Sequence, residues 1–164
     1  MAAVTARRET RTIEFRLPDV EPVADALSRL REAGEGWVNL QPGIVEGAVD
    51  ADPPSGLFAF LGTRQPPVTM ATVMPAKKSR AATQGMSVGL MHPTGPKAIA
   101  RLAGAGITVP EGWAVGQDHA RRGLVLRTAV GARSDDVVTW CVRAGTELCR
   151  ADMTGEWRAV VYLP

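Results

Sequence analysis

Strict alternation opens the patterned part of the chain. In TRTIEFRLP, Ile13, Phe15 and Leu17 fall on one side and Thr12, Glu14 and Arg16 on the other. That period of two marks a strand buried on one face. The period then lengthens. Across DVEPVADALSRLREAGEG, Val20, Val23, Ala24, Leu27 and Leu30 make one apolar stripe, the spacing of an amphipathic helix. Asp19 is placed to cap it, Pro22 is tolerable in its first turn, and Gly34 and Gly36 mark its stop. Arg29, Arg31 and Glu32 fall outside the stripe and read as a solvated face.

WVNLQPG reads as a short strand and IVEGAVDADPPSG, rich in glycine, proline and acid, as a loop. GLFAFLG and PVTMATVMPA are strand-like runs joined through TRQPP. KKSRAATQG, Lys77 to Gly85, is either a surface loop or one that folds over a bound anion. MSVGLMH follows as a central strand. PTGPKAIARLAGAGI predicts a second helix, with Thr94 at its N-cap, Pro96 in its first turn and Ile99, Leu102 and Ala103 inward. A short strand is expected at Trp113 to Val115 and another at LVLRTAV. Ser134 is expected to cap a third helix, DDVVTWCVRAGTELCRA. Its Asp135 and Asp136 suit the positive end of the helix dipole, and its inner row is Val137, Cys141, Ala144 and Leu148. EWRAVVYLP closes as a strand with Trp157, Ala159, Val161 and Leu163 on one side.

Runs of strands interrupted by three helices predict an α+β domain, a mixed, largely antiparallel sheet of about six strands with three helices packed on it. Residues 1–10 are expected to be a flexible tail and 11–164 a single domain. One internal echo stands out. ALSRLREAGEGWVNLQ and AIARLAGAGITVPEGWAVGQ each run from an amphipathic helix through glycines into Gly-Trp and strand-like sequence. Either a helix–strand unit was duplicated, or one helix-stop solution arose twice.

Composition narrows the function classes. A chain of 164 residues with 45% hydrophobic and 22% charged residues can bury a core without metal or disulfide staples. No apolar run approaches the roughly 18 to 20 residues of a membrane span, and MAAVTARRETR has no apolar core of a secretory signal. No membrane role is expected. The net charge is only +2 and aromatic residues are 5%, against the concentrated basic excess and stacking surface of a nucleic-acid binder. The charge is carried by arginine over lysine, with only Lys77, Lys78 and Lys97, which fits a GC-rich bacterial source. Cys141 and Cys149 would lie about 12 Å apart on a helix, too far for a disulfide, so buried thiols and a cytoplasmic location are expected. Two histidines without ligand-spaced partners predict no metal, and no cofactor is called for. The four tryptophans fit a core or an oligomer contact.

Two stretches could carry chemistry. HPTGPKAIARL places His92 at a strand end, then Thr94 as hydroxyl donor, Gly95 for close approach and Lys97 as a point charge beside a helix start. Helix starts favour anions, although Pro93 and Pro96 each remove an amide donor. QDHARRGLV adds Asp118 and His119, an acid–base pair in composition, and Arg121 and Arg122, two fork-shaped anion donors. In an extended chain Asp118 and His119 point opposite ways. This stretch is a strand's polar lead-in, a binding site, or a catalytic one.

Over a dozen residues, MHPTGPKAIARL resembles the acetyl-CoA-binding turn of GNAT-type N-acetyltransferases, with His-Pro after a strand and an Ile-Ala-Arg-Leu helix start. The resemblance implies acyl transfer from a CoA-type donor, with the turn holding phosphate. Pro96 and Ala98 stand where that family's turn has glycines. The expectation drawn from the residues themselves is a binding domain for a small anionic ligand or a protein partner. Its site residues would be Asp118, His119, Arg121 and Arg122, faced by His92, Thr94 and Lys97. A homodimeric assembly protein is a third reading.

Overall fold

The structure, a computed structural model, describes residues 9–48 and 67–164. Seven strands form one sheet: β1 (Thr10–Phe15), β2 (Trp37–Ile44), β3 (Met70–Met74), β4 (Ser87–Met91), β5 (Ala114–His119), β6 (Gly123–Arg127) and β7 (Met153–Tyr162). Their spatial order is β1-β7-β2-β3-β4-β6-β5, and every neighbouring pair is antiparallel. Among the described residues there are three α-helices: α1 (Glu21–Ala33), α2 (Ala98–Gly104) and α3 (Ser134–Leu148). The expected α+β class holds. The strand expected at GLFAFLG, the acidic part of the loop before it and most of the tail fall outside the described residues.

Alternation decides which face is buried. Ile13, Phe15, Val38, Leu40, Ala71, Val73, Val88, Leu90, Leu124, Leu126, Ala159 and Val161 are all buried, and their registers put them on one side of the sheet. All three helices pack there. Val23, Leu27 and Leu30 of α1 and Val137, Cys141, Ala144 and Leu148 of α3 close the core, each at 2% exposure or less. Burial pushes the Cys141 thiol up to about 12, and both cysteines are free. Trp140 and Trp157 are buried, and Trp113 tilts against Trp140 with ring centroids 5.5 Å apart. Trp37 instead stacks on Tyr162 at 4.5 Å on the opposite face. Among the described residues no helix covers that opposite face, where Met74 and Met91 are exposed. None of the helices is long and apolar enough to cross a membrane.

The helix starts depart from expectation. Position Val20, not Asp19, caps α1 and no side chain bonds there. Asp19 pairs with Arg16 in an isolated backbone β-bridge, and Val20 turns into the core. Ser134 lies inside α3, behind an Arg133 cap position, and its hydroxyl meets that of Ser28 on α1 at 2.8 Å. α2 begins only at Ala98, because Gly95 is left-handed at φ 79° and proline 96 disfavours a helical residue before it. Ala103, expected to face inward, lies on the exposed side of α2, where Ala98 and Leu102 are the buried residues, and Leu17, beyond the end of β1, is exposed too. WVNLQPG, expected as a short strand, is the eight-residue β2 in the middle of the sheet.

Gly145 shows how closely α3 approaches the sheet. A Cβ there would stand 2.7 Å from Cη2 of Trp157, while Thr69 Oγ1 donates to the Gly145 carbonyl at 2.8 Å. Alanine in a helix interior gains about 1 kcal/mol over glycine, but overpacking a core costs about 1–3 kcal/mol. Gly145→Ala is therefore expected to lower the unfolding free energy by about 1 kcal/mol, within a range of about 0–2, read from urea midpoints; a stabilised variant would show that Trp157 yields freely.

Candidate functional site

β4 and β5 run in the same direction with β6 between them, so both end on the same edge of the sheet. That geometry brings the two histidine-bearing stretches together. His92 follows the last residue of β4 and is 2% exposed. Its Nδ1 lies 3.0 Å from Thr94 Oγ1, and its Nε2 has no hydrogen-bond partner among the described residues. Burial holds the His92 pKa below its ordinary 6.5, opposed by the nearby Asp118 carboxylate and reinforced by Arg101. Arg101 Nη2 donates to the Thr94 carbonyl at 3.4 Å and so helps to close the loop over His92.

Asp118 is the centre of this end. Its Oδ1 accepts from the Ala98 amide at 3.1 Å and its Oδ2 from the Ile99 amide at 3.0 Å. The amides expected to greet an external anion are thus engaged by the chain's own carboxylate. The cap comes from a strand distant in sequence: twenty residues separate Asp118 from Ala98. Thr94, expected as that cap, bonds His92 instead. Lys97 occupies the cap position in the left-handed region at φ 64°, a conformation that non-glycine residues adopt only when neighbours enforce it. The Asp118 bonds on its C-terminal side and Pro96 on its N-terminal side supply that enforcement.

His119 faces the opposite side of β5 from Asp118, as alternation requires. Its Nδ1 accepts from the Arg121 amide at 3.1 Å and the Arg122 amide at 3.3 Å. The ring nitrogen does what an Asn or Asp oxygen does in an Asx turn. Gln117 Nε2 adds bonds to the Arg122 and Gly123 carbonyls, each at 3.3 Å. Gly123 closes the hairpin at φ 78°, where a Cβ would stand 2.5 Å from the Leu90 carbonyl oxygen. Asp118 and His119 therefore each hold backbone and do not pair with one another. The side chains of Lys97, Arg121 and Arg122 are left exposed, with no carboxylate in salt-bridge range among the described residues. No group of three or more His, Cys, Asp or Glu side chains able to hold a metal occurs among the described residues.

Two arginines escaped the sequence reading. Arg101 was not singled out, and only its spacing of four from Lys97 hinted that both belong to this end. Arg31 was assigned to a solvated face, yet it is half-buried: Nη1 donates to the Ala132 carbonyl at 2.8 Å and Nη2 to the Val130 carbonyl at 3.3 Å. Its acceptors are backbone oxygens about a hundred residues away, which no local pattern reveals.

The state of His92 sets a pH dependence. A histidine held below its ordinary pKa binds a proton in the unfolded chain first, so stability is greatest above pH 6.5 and declines as pH falls from there through the folded value. Urea midpoints at pH 7.5 and 5.5 should fall further for the native protein than for His92→Gln; equal falls would mean that His92 is protonated as easily folded as unfolded. At the hairpin, His119→Asn should keep the turn because Asn offers an oxygen at the same place, whereas His119→Ala should cost about 1 kcal/mol. Equal stability of the two variants would refute the capping role.

Comparison of the chain with protein-family models, with curated proteins and with solved structures gave no match in any of the three.

Proposed function

We propose that the chain is a binding module that recognises an acidic segment of a partner protein at this end of the sheet. Lys97, Arg121 and Arg122 are the contacting groups, and His92, Thr94, Asp118 and His119 are the frame that sets their backbone. The observation that carries this reading is the mounting of exposed cations, without a carboxylate in salt-bridge range among the described residues, on two turns whose amides are tied down by Asp118 and His119. A turn fixed in advance loses little freedom on binding.

Exposure decides between ligand classes. A single exposed ion pair contributes about 0–1 kcal/mol, so one small anion on these side chains would be held weakly. An extended acidic segment engages several cations at once and gains association rate from their summed field. Acyl transfer from a CoA donor is disfavoured by chemistry: pyrophosphate would need amides that already donate to Asp118, and would approach that carboxylate. A net charge of +2 and 5% aromatic residues weigh against nucleic acid.

Fluorescence anisotropy with a fluorescein-labelled oligoglutamate peptide tests the reading. Binding at low salt should weaken by about tenfold or more in the Arg121→Gln, Arg122→Gln double variant, and should weaken with added salt as expected for exposed charges. Undiminished binding in the double variant would overturn the proposal, as would tighter binding of a labelled single-stranded oligonucleotide through the same residues.

A further inference from the structure

A second place on the helical side has the chemistry of a small-molecule site. Between α1 and residues 75–86 lies a cavity of about 290 Å³. The short 3₁₀ turn Lys78–Arg80 packs against Gly34, at the end of α1, beside it. Pro75, Ala76, Met86 and Val130 supply apolar wall, and Arg31, Glu32, Gln84 and Ser28 supply the polar lining. A hollow in which placed polar groups stand beside apolar wall can orient a ligand that has both a polar and an apolar part.

Arg31 gives the cavity its sign. Its guanidinium is held by two backbone carbonyls, Ala132 and Val130, and by no carboxylate among the described residues. A guanidinium has five N–H donors in one plane, so these two bonds orient the fork and leave further donors for a ligand. The Gln84 side-chain amide has no hydrogen-bond partner among the described residues and lines the same hollow. Lys77, Lys78 and Arg80, on the adjoining turn, likewise lack a carboxylate in salt-bridge range among the described residues. Glu32 shares the rim, but it is exposed and solvent screens it.

We infer that this cavity binds a small oxyanion with an apolar body, a carboxylate or a phosphate ester, with the fixed fork of Arg31 as its principal donor and Gln84 as the second. The apolar walls take the body and the oriented guanidinium takes the two oxygens of the head group, a pairing in which geometry adds to charge. The site is separate from the exposed cations of Lys97, Arg121 and Arg122, and it stands or falls independently of them.

Phenyl phosphate and benzoate serve as probes, with inorganic phosphate as the head group lacking a body. In ¹H–¹⁵N spectra of the full chain, one or both organic probes should shift the Arg31 Nε–H, the Gln84 side-chain amide and the Met86 amide saturably; which probe does so identifies the oxyanion. Inorganic phosphate should bind more weakly. Arg31→Lys keeps the charge but not the planar fork, and should weaken binding about tenfold. Because Arg31 also ties α1 to the loop before α3, Gln84→Leu provides a second variant at a side chain that supports no bond in the fold, and it too should weaken binding. The Arg121→Gln, Arg122→Gln variant should bind the probes unchanged. Absence of a saturable shift with either organic probe at millimolar concentration, shifts centred on Lys97, Arg121 and Arg122, or undiminished binding in both cavity variants would overturn the inference.

Discussion

Every strand in this sheet is antiparallel to its neighbours, yet three of the connections are helices that link strands of the same direction. A crossover of that kind must skip an odd number of strands. β1–α1–β2 leaves room for β7, β4–α2–β5 leaves room for β6, and β6–α3–β7 passes over β4, β3 and β2. The first two move one way along the sheet, and the third moves back on strands pointing the opposite way. A half-turn about the sheet normal interchanges these two situations. Crossovers of one hand, the right-handed preference of such units, must then all lie on one face, and that is where α1, α2 and α3 are found. The single helical layer, the shared core and the absence of a described helix from the opposite face all follow from this constraint.

The same constraint builds the candidate site. Because β4 and β5 point the same way, their ends meet at one edge, and the loop after His92 lies beside the β5–β6 hairpin. Asp118 then spans the gap and caps a helix too short and too proline-flanked to cap itself. Removing that carboxylate would free two amides and leave Lys97 in a left-handed conformation with one support fewer. The two internally similar stretches occupy matching places: α1–β2 and α2–β5 are each the helix and closing strand of a crossover that skips one strand. Their tryptophans diverge in use, with Trp113 against Trp140 on the helical side and Trp37 against Tyr162 on the open one.

Much of the fold is legible because its periods are clean. Ile13 and Phe15, Val88 and Leu90, and Ala159 and Val161 alternate inward as the pattern of two demands. The stripes on α1 and α3 are buried where the helical period puts them. Legibility fails at the helix starts. Asp19, Thr94 and Ser134 are good local caps, but Val20 takes the cap position of α1, Thr94 bonds His92 two residues before it, and the Ser134 hydroxyl meets Ser28, 106 residues away. The short sheet-edge strand at Trp113 to Val115 extends to His119 because a bulge between Val115 and Gln117 restores its register with β6; a bulge hides from an alternation count.

Local pattern by itself determined the α+β class, the three helices, the inward rows and the presence of cations around residues 97 and 121, since each of these depends only on spacing along the chain. Tertiary structure decided which of those polar groups remain available. Asp118 and His119 read as an acid–base pair because they are adjacent, but opposite faces of one strand send the first to the amides of α2 and the second to those of its own turn. Arg31 read as solvated because its neighbours on α1 are, but the loop before α3 returns across it and supplies acceptors. Hydrogen-bond donors and acceptors carry no record of their distant partners in the sequence, so the use of each polar group is settled only when the chain closes on itself.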